Sequence, residues 1–92
     1  MQIEFDPAKN AANIKDRSLA FESAGEFDFS TADIEQDTRK AYPEVRLVAV
    51  GFLGNRLHVL CFTPLPLGLR VISFRKANKR EVKSYETTRS TH

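Results

Sequence analysis

The sequence lacks the residue patterns that mark many small enzymes and secreted domains. It contains one cysteine among 92 residues, so neither a disulfide framework nor a cysteine metal cluster can form within one chain. Cys61 lies in an apolar run, which favours a buried structural thiol over a nucleophile. No HExxH motif, nucleophile elbow or phosphate-cradling glycine loop is present. We therefore expect no metal and no cofactor.

Targeting and membrane signals are also missing. No segment resembles a signal peptide, and no apolar run approaches the roughly 20 residues that a membrane helix needs. The sequence therefore predicts a cytoplasmic protein that does not bind a membrane. The length predicts one domain, 1–92, with a single core.

The charge is small overall but unevenly distributed. The formal net charge is +2. Residues 1–44 carry five cations and ten acids, whereas residues 45–92 carry nine cations and two acids. A basic half of this kind suggests an anionic partner, and nucleic acid is the usual one.

The clearest structural pattern is a β-hairpin. Gly54-Asn55 is a two-residue turn signal between strand patterns at 45–53 and 56–63, and it predicts that Leu53 lies opposite Arg56. One face of this hairpin is wholly apolar, so we expect it to be the core. That face carries Val48, Val50, Phe52, Leu57, Val59 and Cys61. The mixed face carries Leu47, Ala49, Gly51, Leu53, Arg56, His58, Leu60 and Phe62.

The stretch from Leu69 to Glu86 predicts a strand that runs almost directly into a helix. Residues 69–75 alternate as a strand does, and Asn78 and Glu81 have the spacing of a reciprocal helix cap. The helix is expected over 78–88.

The third strand is expected to pair with the second in a register set by its apolar residues. If Ile72 and Phe74 join the apolar face, then Ser73 and Arg75 lie on the mixed face beside His58. The loop 64–68 is expected to stay outside the ladder, because its two prolines have no N–H to donate.

The first half of the chain predicts less regular structure. Gln2 to Phe5 is expected to be an edge strand, followed by helices near 7–15 and 19–27. Asp28 to Pro43 is interpreted as a loop with a brief extended piece near Ile34. The fold class is then α+β: a small antiparallel sheet of three to four strands, with two N-terminal helices and one C-terminal helix.

Positive charge is concentrated where the third strand meets the last helix. Arg75, Lys76, Lys79 and Arg80 lie at this junction and Arg70 lies upstream. Cations gain nothing from a helix N-terminus, whose dipole is also positive. They form either a solvated face or a site for anions.

Two motifs resemble those of a known family. The first is D-x-x-K-x-x-x-N at Asp6, Lys9 and Asn13; the second, R-x-I-S-x-R-K-A-x-x-x-E-x-x-x-Y, runs from Arg70 to Tyr85. Together with the YPEVR segment, they make the chain similar to the BrnT family from about residue 3 to residue 86. These are toxins of type II toxin–antitoxin systems with a fold related to the RelE ribonucleases.

The resemblance implies a function and partners. It implies a toxin that cleaves RNA and inhibits translation, and a cognate antitoxin bound to it. It also implies that the pair represses its own promoter, with the antitoxin supplying the contact to DNA.

The chain departs from the family pattern at two places. Family members commonly have Lys-His-Gly where this chain has Asp16-Arg17-Ser18, so Arg17 stands at the histidine position. Many members also carry an arginine just after the threonine of the second strand, where Thr63 is followed here by Pro64-Leu65-Pro66.

The chemistry of metal-independent RNA cleavage selects the candidate site residues. The 2′-hydroxyl attacks its own phosphate, so the enzyme must move two protons and neutralise the developing phosphorane, a task that suits guanidinium forks. The candidate catalytic residues are Arg70, Arg75, His58 and Tyr85. The candidate RNA-binding residues are Arg46, Arg56, Lys76, Lys79 and Arg80.

Each of these residues also has a purely structural interpretation, and a second function remains open. His58 is equally an exposed strand residue, Tyr85 a packing residue and Glu81 a capping carboxylate. The alternative function is a non-catalytic module of the same fold that only pairs with an antitoxin. Burial of the arginines in salt bridges with Glu44 or Glu81 favours the module. Convergence of Arg70 or Arg46 with a titratable group near Arg75 favours the enzyme.

Overall fold

The structure, a computed structural model, describes residues 1–90; the last two residues of the predicted domain lie outside the described range. One five-stranded mixed sheet has the order β1-β5-β4-β3-β2. The elements are β1 (Gln2–Glu4), α1 (Pro7–Arg17), a 3₁₀ helix (Phe21–Glu26), β2 (Asp33–Gln36), β3 (Leu47–Leu53), β4 (Arg56–Leu65), β5 (Gly68–Lys76) and α2 (Lys79–Ser90). Within residues 1–90, no helix combines the length and the apolar character needed to cross a membrane.

The centre of the sheet agrees with the α+β prediction. Strands β3, β4 and β5 are antiparallel, and the Gly54-Asn55 turn places Leu53 opposite Arg56. The predicted count of three to four strands is too low, because the extended piece near Ile34 is a full strand, β2, paired with β3. The sheet is also mixed rather than antiparallel, since β1 runs parallel to β5 at the opposite edge.

The structure around Pro64 contradicts the expectation that residues 64–68 form a loop outside the ladder. Pro64 does not lie in a loop but pairs with Leu69 in the β4–β5 ladder, and Leu65 pairs with Gly68. At this level β4 has a neighbour only on its β5 side, because β3 begins at Leu47, opposite Phe62. A residue without an N–H is tolerated at such a position.

The main core lies on the face of the sheet that was predicted to be mixed. Phe21 and Phe27 pack there against Leu60 and Phe74, and the latter two side chains are fully buried. The N-terminal half of the chain covers this face with aromatic rings. The remaining members of this cluster are Ala24, Ala49, Phe62, Leu69 and Val71.

The face that was predicted to be the core is only partly covered. Helix α2 lays Val82 and Tyr85 across Leu57 and Val59, which forms a second, smaller cluster. Beyond α2 this face is open. Both predicted faces therefore carry apolar clusters, which explains why β4 is buried along nearly its whole length.

The register of β5 also differs from the prediction. Phe74 pairs with Leu60 and so points into the main core, and a β-bulge between Cys61 and Phe62 leaves Ile72 without a partner in the ladder. Arg75 consequently pairs with Val59 on the open face and does not share the sheet face of His58. A bulge moves every side chain beyond it to the opposite face of the sheet. The alternation of apolar residues in the sequence does not reveal where a bulge lies.

Helix α1 is attached to the sheet by polar contacts. Asp6 caps its N-terminus by accepting from the N–H of Ala8 at 2.8 Å. The buried amide of Asn13 donates to the carbonyls of Leu19 and Phe74, at 2.9 and 3.0 Å. The predicted second helix is shorter than expected, as the 3₁₀ helix of residues 21–26.

Candidate functional site

A cleft lies beside the outer edge of β5, where no strand covers it. Strand β1 pairs with β5 only from Gly68 to Arg70, so the rest of that edge faces other elements. The C-terminal end of α1 lies there and leaves a cleft of about 520 Å³, called here the His58 cleft. Its lining residues are Arg17, Ser18, Leu19, His58, Arg75 and Lys76.

His58 is held in one orientation at the bottom of this cleft. Its residue is only 4% exposed, and its ring lies 5.6 Å from that of Phe74. Nδ1 lies 2.8 Å from the carbonyl oxygen of Arg56. A carbonyl only accepts, so Nδ1 carries the hydrogen of the neutral ring and Nε2 has the lone pair.

The Nε2 atom of His58 is not sealed inside the protein. Within residues 1–90, no buried side-chain nitrogen or oxygen lacks a hydrogen-bond partner. The ring's hydrogen bond uses Nδ1. Nε2 therefore keeps contact with solvent, and His58 lines the cleft.

Three cations line the same cleft as His58, namely Arg17, Arg75 and Lys76. Lys76 lies directly opposite His58 in the β4–β5 ladder and is exposed. Arg17 ends α1, and its Nη1 donates to Oδ1 of Asn13 at 2.7 Å. Because Asn13 is itself fixed to the sheet, this bond restricts the guanidinium at the mouth of the cleft. Ser18 follows in a left-handed conformation, with φ 54°, and caps the helix.

Arg75 is anchored by the cap of α2. Its two terminal nitrogens donate to the two carboxylate oxygens of Glu81, at 2.8 and 2.9 Å. The same carboxylate accepts from the N–H of Asn78, whose side chain accepts from the N–H of Glu81. The guanidinium lowers the pKa of Glu81 from 4.5 to about 2. This confirms the sequence-predicted cap and adds an arginine to it.

Arg75 also lines a second depression on the open sheet face, called here the open-face groove. This groove has a volume of about 500 Å³ and a floor that includes Val48, Val59 and Cys61. Burial raises the pKa of the Cys61 thiol, which agrees with its predicted structural role. Because Arg75 belongs to both linings, the groove and the His58 cleft adjoin at this residue.

The far wall of the open-face groove carries both cations and carboxylates, with Arg39 and Arg46 beside Glu35 and Asp37. The guanidinium of Arg46 lies 3.9 Å over the ring of Tyr42. Arg39 makes two bonds to the carboxylate of Asp37, at 2.9 and 2.8 Å, and holds the pKa of that acid at about 2. Arg46, Arg75 and Glu81 line the same groove.

The structure separates the other candidate catalytic residues from His58. Arg70 lies towards the other end of β5, opposite Thr63, and pairs with Glu44 at 2.9 Å and Glu4 at 3.5 Å. Tyr85 is the buried residue of α2, and its hydroxyl donates to the carbonyl of Thr31 at 2.7 Å.

The other candidate RNA-binding residues lie around α2. Arg56 and Lys79 line a third depression beside the helix, called here the α2 cleft. Arg80 is exposed on the first turn of α2. These three cations are therefore not part of the His58 cleft.

The salt bridges bear on both functional alternatives. Arg70 and Arg75 pair with Glu44 and Glu81, the two carboxylates that the module interpretation named. Yet both arginine side chains remain 38% exposed, so neither is buried in its ion pair.

Sequence reasoning missed Arg17 as a member of the cleft. It treated this residue as a departure from a histidine position. The signal that was available is positional: Arg17 is four residues after Asn13, so both lie on one face of α1. What the sequence does not show is that Asn13 faces the end of β5.

The comparison with protein families agrees with the motifs. A family model described as the ribonuclease toxin BrnT of type II toxin–antitoxin systems matches residues 5–81. A comparison with curated proteins finds no match. The family match covers most of the chain and includes Asp6, Asn13, Arg75 and Glu81, whose structural roles are described above. The chain belongs to the BrnT family of ribonuclease toxins of type II toxin–antitoxin systems.

Proposed function

We propose that the chain is a metal-independent endoribonuclease whose cutting centre is the His58 cleft. The observation that carries this proposal is the accessible Nε2 of His58 in a cleft lined by Arg17, Arg75 and Lys76. It combines a proton acceptor with three groups that bind phosphate. The substrate is cellular RNA, and its cleavage inhibits translation in the cytoplasm.

The proposed reaction uses the RNA's own 2′-hydroxyl as the nucleophile. Nε2 of His58 takes the proton of that hydroxyl while a bond forms from O2′ to phosphorus. The bond from phosphorus to O5′ breaks, and the imidazolium returns the proton to O5′. The products are a 2′,3′-cyclic phosphate and a 5′-hydroxyl, and no metal is needed for the proton balance.

The cations have separate tasks in this proposal. Lys76 is the nearest to His58 in the ladder and supports the charge that develops on the phosphorane. Arg17, restricted by Asn13, holds the scissile phosphate in line for attack. The position at which the family commonly has histidine is thus occupied by a phosphate-binding residue, and His58 supplies the base.

The open-face groove is proposed to bind the RNA beyond the cut. It adjoins the His58 cleft at Arg75, and Arg46 presents a guanidinium there that is stacked on Tyr42. Arginine suits both phosphate contact and stacking on a base. RNA would therefore pass from the edge of β5 across Arg75 onto the open sheet face.

A non-catalytic module is the second candidate, and the ion pairs of Arg70 and Arg75 are the observation that favours it. In that case the chain would keep the antitoxin partner that its family implies, without cutting RNA. Contact with promoter DNA is proposed to occur only through the antitoxin in either case.

Expression of the chain alone in bacteria separates the two candidates. The ribonuclease proposal expects growth arrest, and expects Lys76→Ala and Arg17→Ala to relieve it. Lys15→Ala is the matched control, because Lys15 is exposed in the last turn of α1 and does not line the cleft. Normal growth with the unmutated chain at matched soluble levels would support the module instead.

A further inference from the structure

The α2 cleft differs in character from the two depressions described above. It has a volume of about 660 Å³ and follows one side of α2. Leu57, Ala77 and Tyr85 are buried at its base, whereas Phe52 and Val82 remain partly exposed. A surface that keeps apolar side chains partly exposed along a helix is a typical contact site for a protein.

The rim of the α2 cleft is basic. Arg56, Lys79 and Lys83 line it together with one carboxylate, that of Glu86. Lys79 and Lys83 are four residues apart, so they lie on the same side of α2 on successive turns. An occupant with apolar anchors and acidic flanks would match both the floor and the rim.

We infer that the α2 cleft docks an amphipathic, acidic helical segment of the antitoxin. The family assignment supplies an antitoxin as partner, and the cleft supplies the chemistry of its docking segment. A helix laid along α2 would bury apolar anchors between Phe52 and Val82, with carboxylates towards Lys79 and Lys83. The inference does not depend on where RNA is cut.

The shape of the cleft favours side-chain docking over addition of a strand. At Phe52 the outer edge of β3 is already used, because the carbonyl of Phe52 accepts from the N–H of Asp28 at 2.9 Å. Strand β4 is paired on both sides, with Phe52 opposite Leu57 and Ala77 donating its N–H to the carbonyl of Leu57 at 3.0 Å. An incoming segment therefore finds side chains there rather than an open ladder.

The same floor is poorly suited to RNA. Bases bind on exposed aromatic faces, whereas Phe52 and Tyr85 are set edge to face, with centroids 5.8 Å apart and an interplanar angle of 89°. The other floor residues are aliphatic and offer no donors to base edges. RNA and an acidic peptide are both anions, so the rim cations do not distinguish them. The apolar floor favours the peptide, because the peptide can supply apolar anchors.

The experiment compares binding of the product of the adjacent open reading frame, the antitoxin by this inference, to purified variants. Lys83→Glu should weaken binding about tenfold and Val82→Glu on the order of a hundredfold, because one reverses a rim charge and the other places a charge on the floor. The control is Arg80→Glu, which makes the same charge change on the same helix but lies outside the cleft lining. It should stay within about twofold of the unmutated chain.

Several results would overturn the inference. Unchanged binding by Lys83→Glu, an equal loss with Arg80→Glu, or no binding by the unmutated chain would each do so. Circular dichroism and thermal unfolding identify a variant that fails to fold. If Val82→Glu fails to fold, Lys83→Glu still provides a decisive test. If Lys83→Glu instead abolishes RNA cleavage without the antitoxin present, RNA is the occupant of this cleft.

Discussion

His58 on β4 lies directly opposite Lys76 on β5, and this pairing decides which cation shares a sheet face with the imidazole. Arg75, one residue earlier, lies on the other face of the sheet. Arg75 also lines the His58 cleft, but its guanidinium is bound to Glu81, which lines the open-face groove and not the cleft. The proposed site is therefore assembled around a strand edge and not on one face of the sheet.

Glu81→Gln should make the stability of the protein less dependent on pH. The folded pKa of Glu81 is about 2, below its ordinary value of 4.5, so its charge stabilises the fold above pH 4.5 and loses that effect as the pH falls towards 2. Glutamine keeps the cap but loses the charge opposite Arg75. We expect the variant to be less stable at pH 7, on the order of 1–3 kcal/mol.

Urea unfolding at pH 7 and pH 3 measures this effect. The difference in free energy of unfolding between the two proteins should shrink at pH 3. A difference that stays constant across this range would show that the pair of Glu81 and Arg75 does not contribute through charge.

Ser18→Gly should stabilise the protein. Ser18 has a φ of 54°, a conformation that costs a residue with a Cβ atom roughly 1–2 kcal/mol. Part of this gain is offset because glycine makes the unfolded chain more flexible, so we expect a net gain of about 0.5–1 kcal/mol.

The control is Ser84→Gly in the interior of α2, where glycine should destabilise by about 0.5 kcal/mol. Opposite shifts in melting temperature for the two variants would support the account. A loss of stability at both sites would contradict it.

Val71→Ala should cost more stability than Val59→Ala. Val71 belongs to the main core under the aromatic rings, whereas Val59 lies in the smaller cluster and lines the open-face groove. We expect losses of about 2–3 and about 1–2 kcal/mol, respectively. Denaturant titration of both variants measures this difference. A larger loss for Val59→Ala than for Val71→Ala would support the prediction from the hairpin pattern that the face of Val59 is the main core.

Tyr85→Phe should leave RNA cleavage within about threefold of the unmutated chain. The Tyr85 hydroxyl donates to the carbonyl of Thr31 and the residue is buried, so its removal should cost about 1 kcal/mol of stability through one lost hydrogen bond. Initial rates on a labelled RNA test this expectation. A fall of two orders of magnitude in a folded variant would return Tyr85 to the catalytic set.

Local signals made the centre of the sheet and the last helix predictable. Gly54-Asn55 sets the hairpin register, and the spacing of Asn78 and Glu81 sets the start of α2, because turn and cap chemistry depend on neighbouring residues. Both features have the geometry that the sequence predicts.

Features that depend on distant residues were not predictable in this way. The bulge at Ile72 and the parallel pairing of β1 with β5 arise from contacts far apart in the chain. The bulge moved Arg75 to the opposite face from His58. The residues that form the candidate site, including Arg17, could therefore be identified only from the fold.

The most direct test of the account is cleavage of RNA by His58→Asn in the presence of a metal chelator. Asparagine can place its amide near the position of Nδ1 and keep the bond to the carbonyl of Arg56, while it removes Nε2. The account predicts that the unmutated chain yields 2′,3′-cyclic phosphate ends. It also predicts that the folded variant is slower by about 10²–10⁴-fold, the range typical of a lost acid–base group. Equal rates for the two proteins would contradict the assignment of the cutting centre to the His58 cleft.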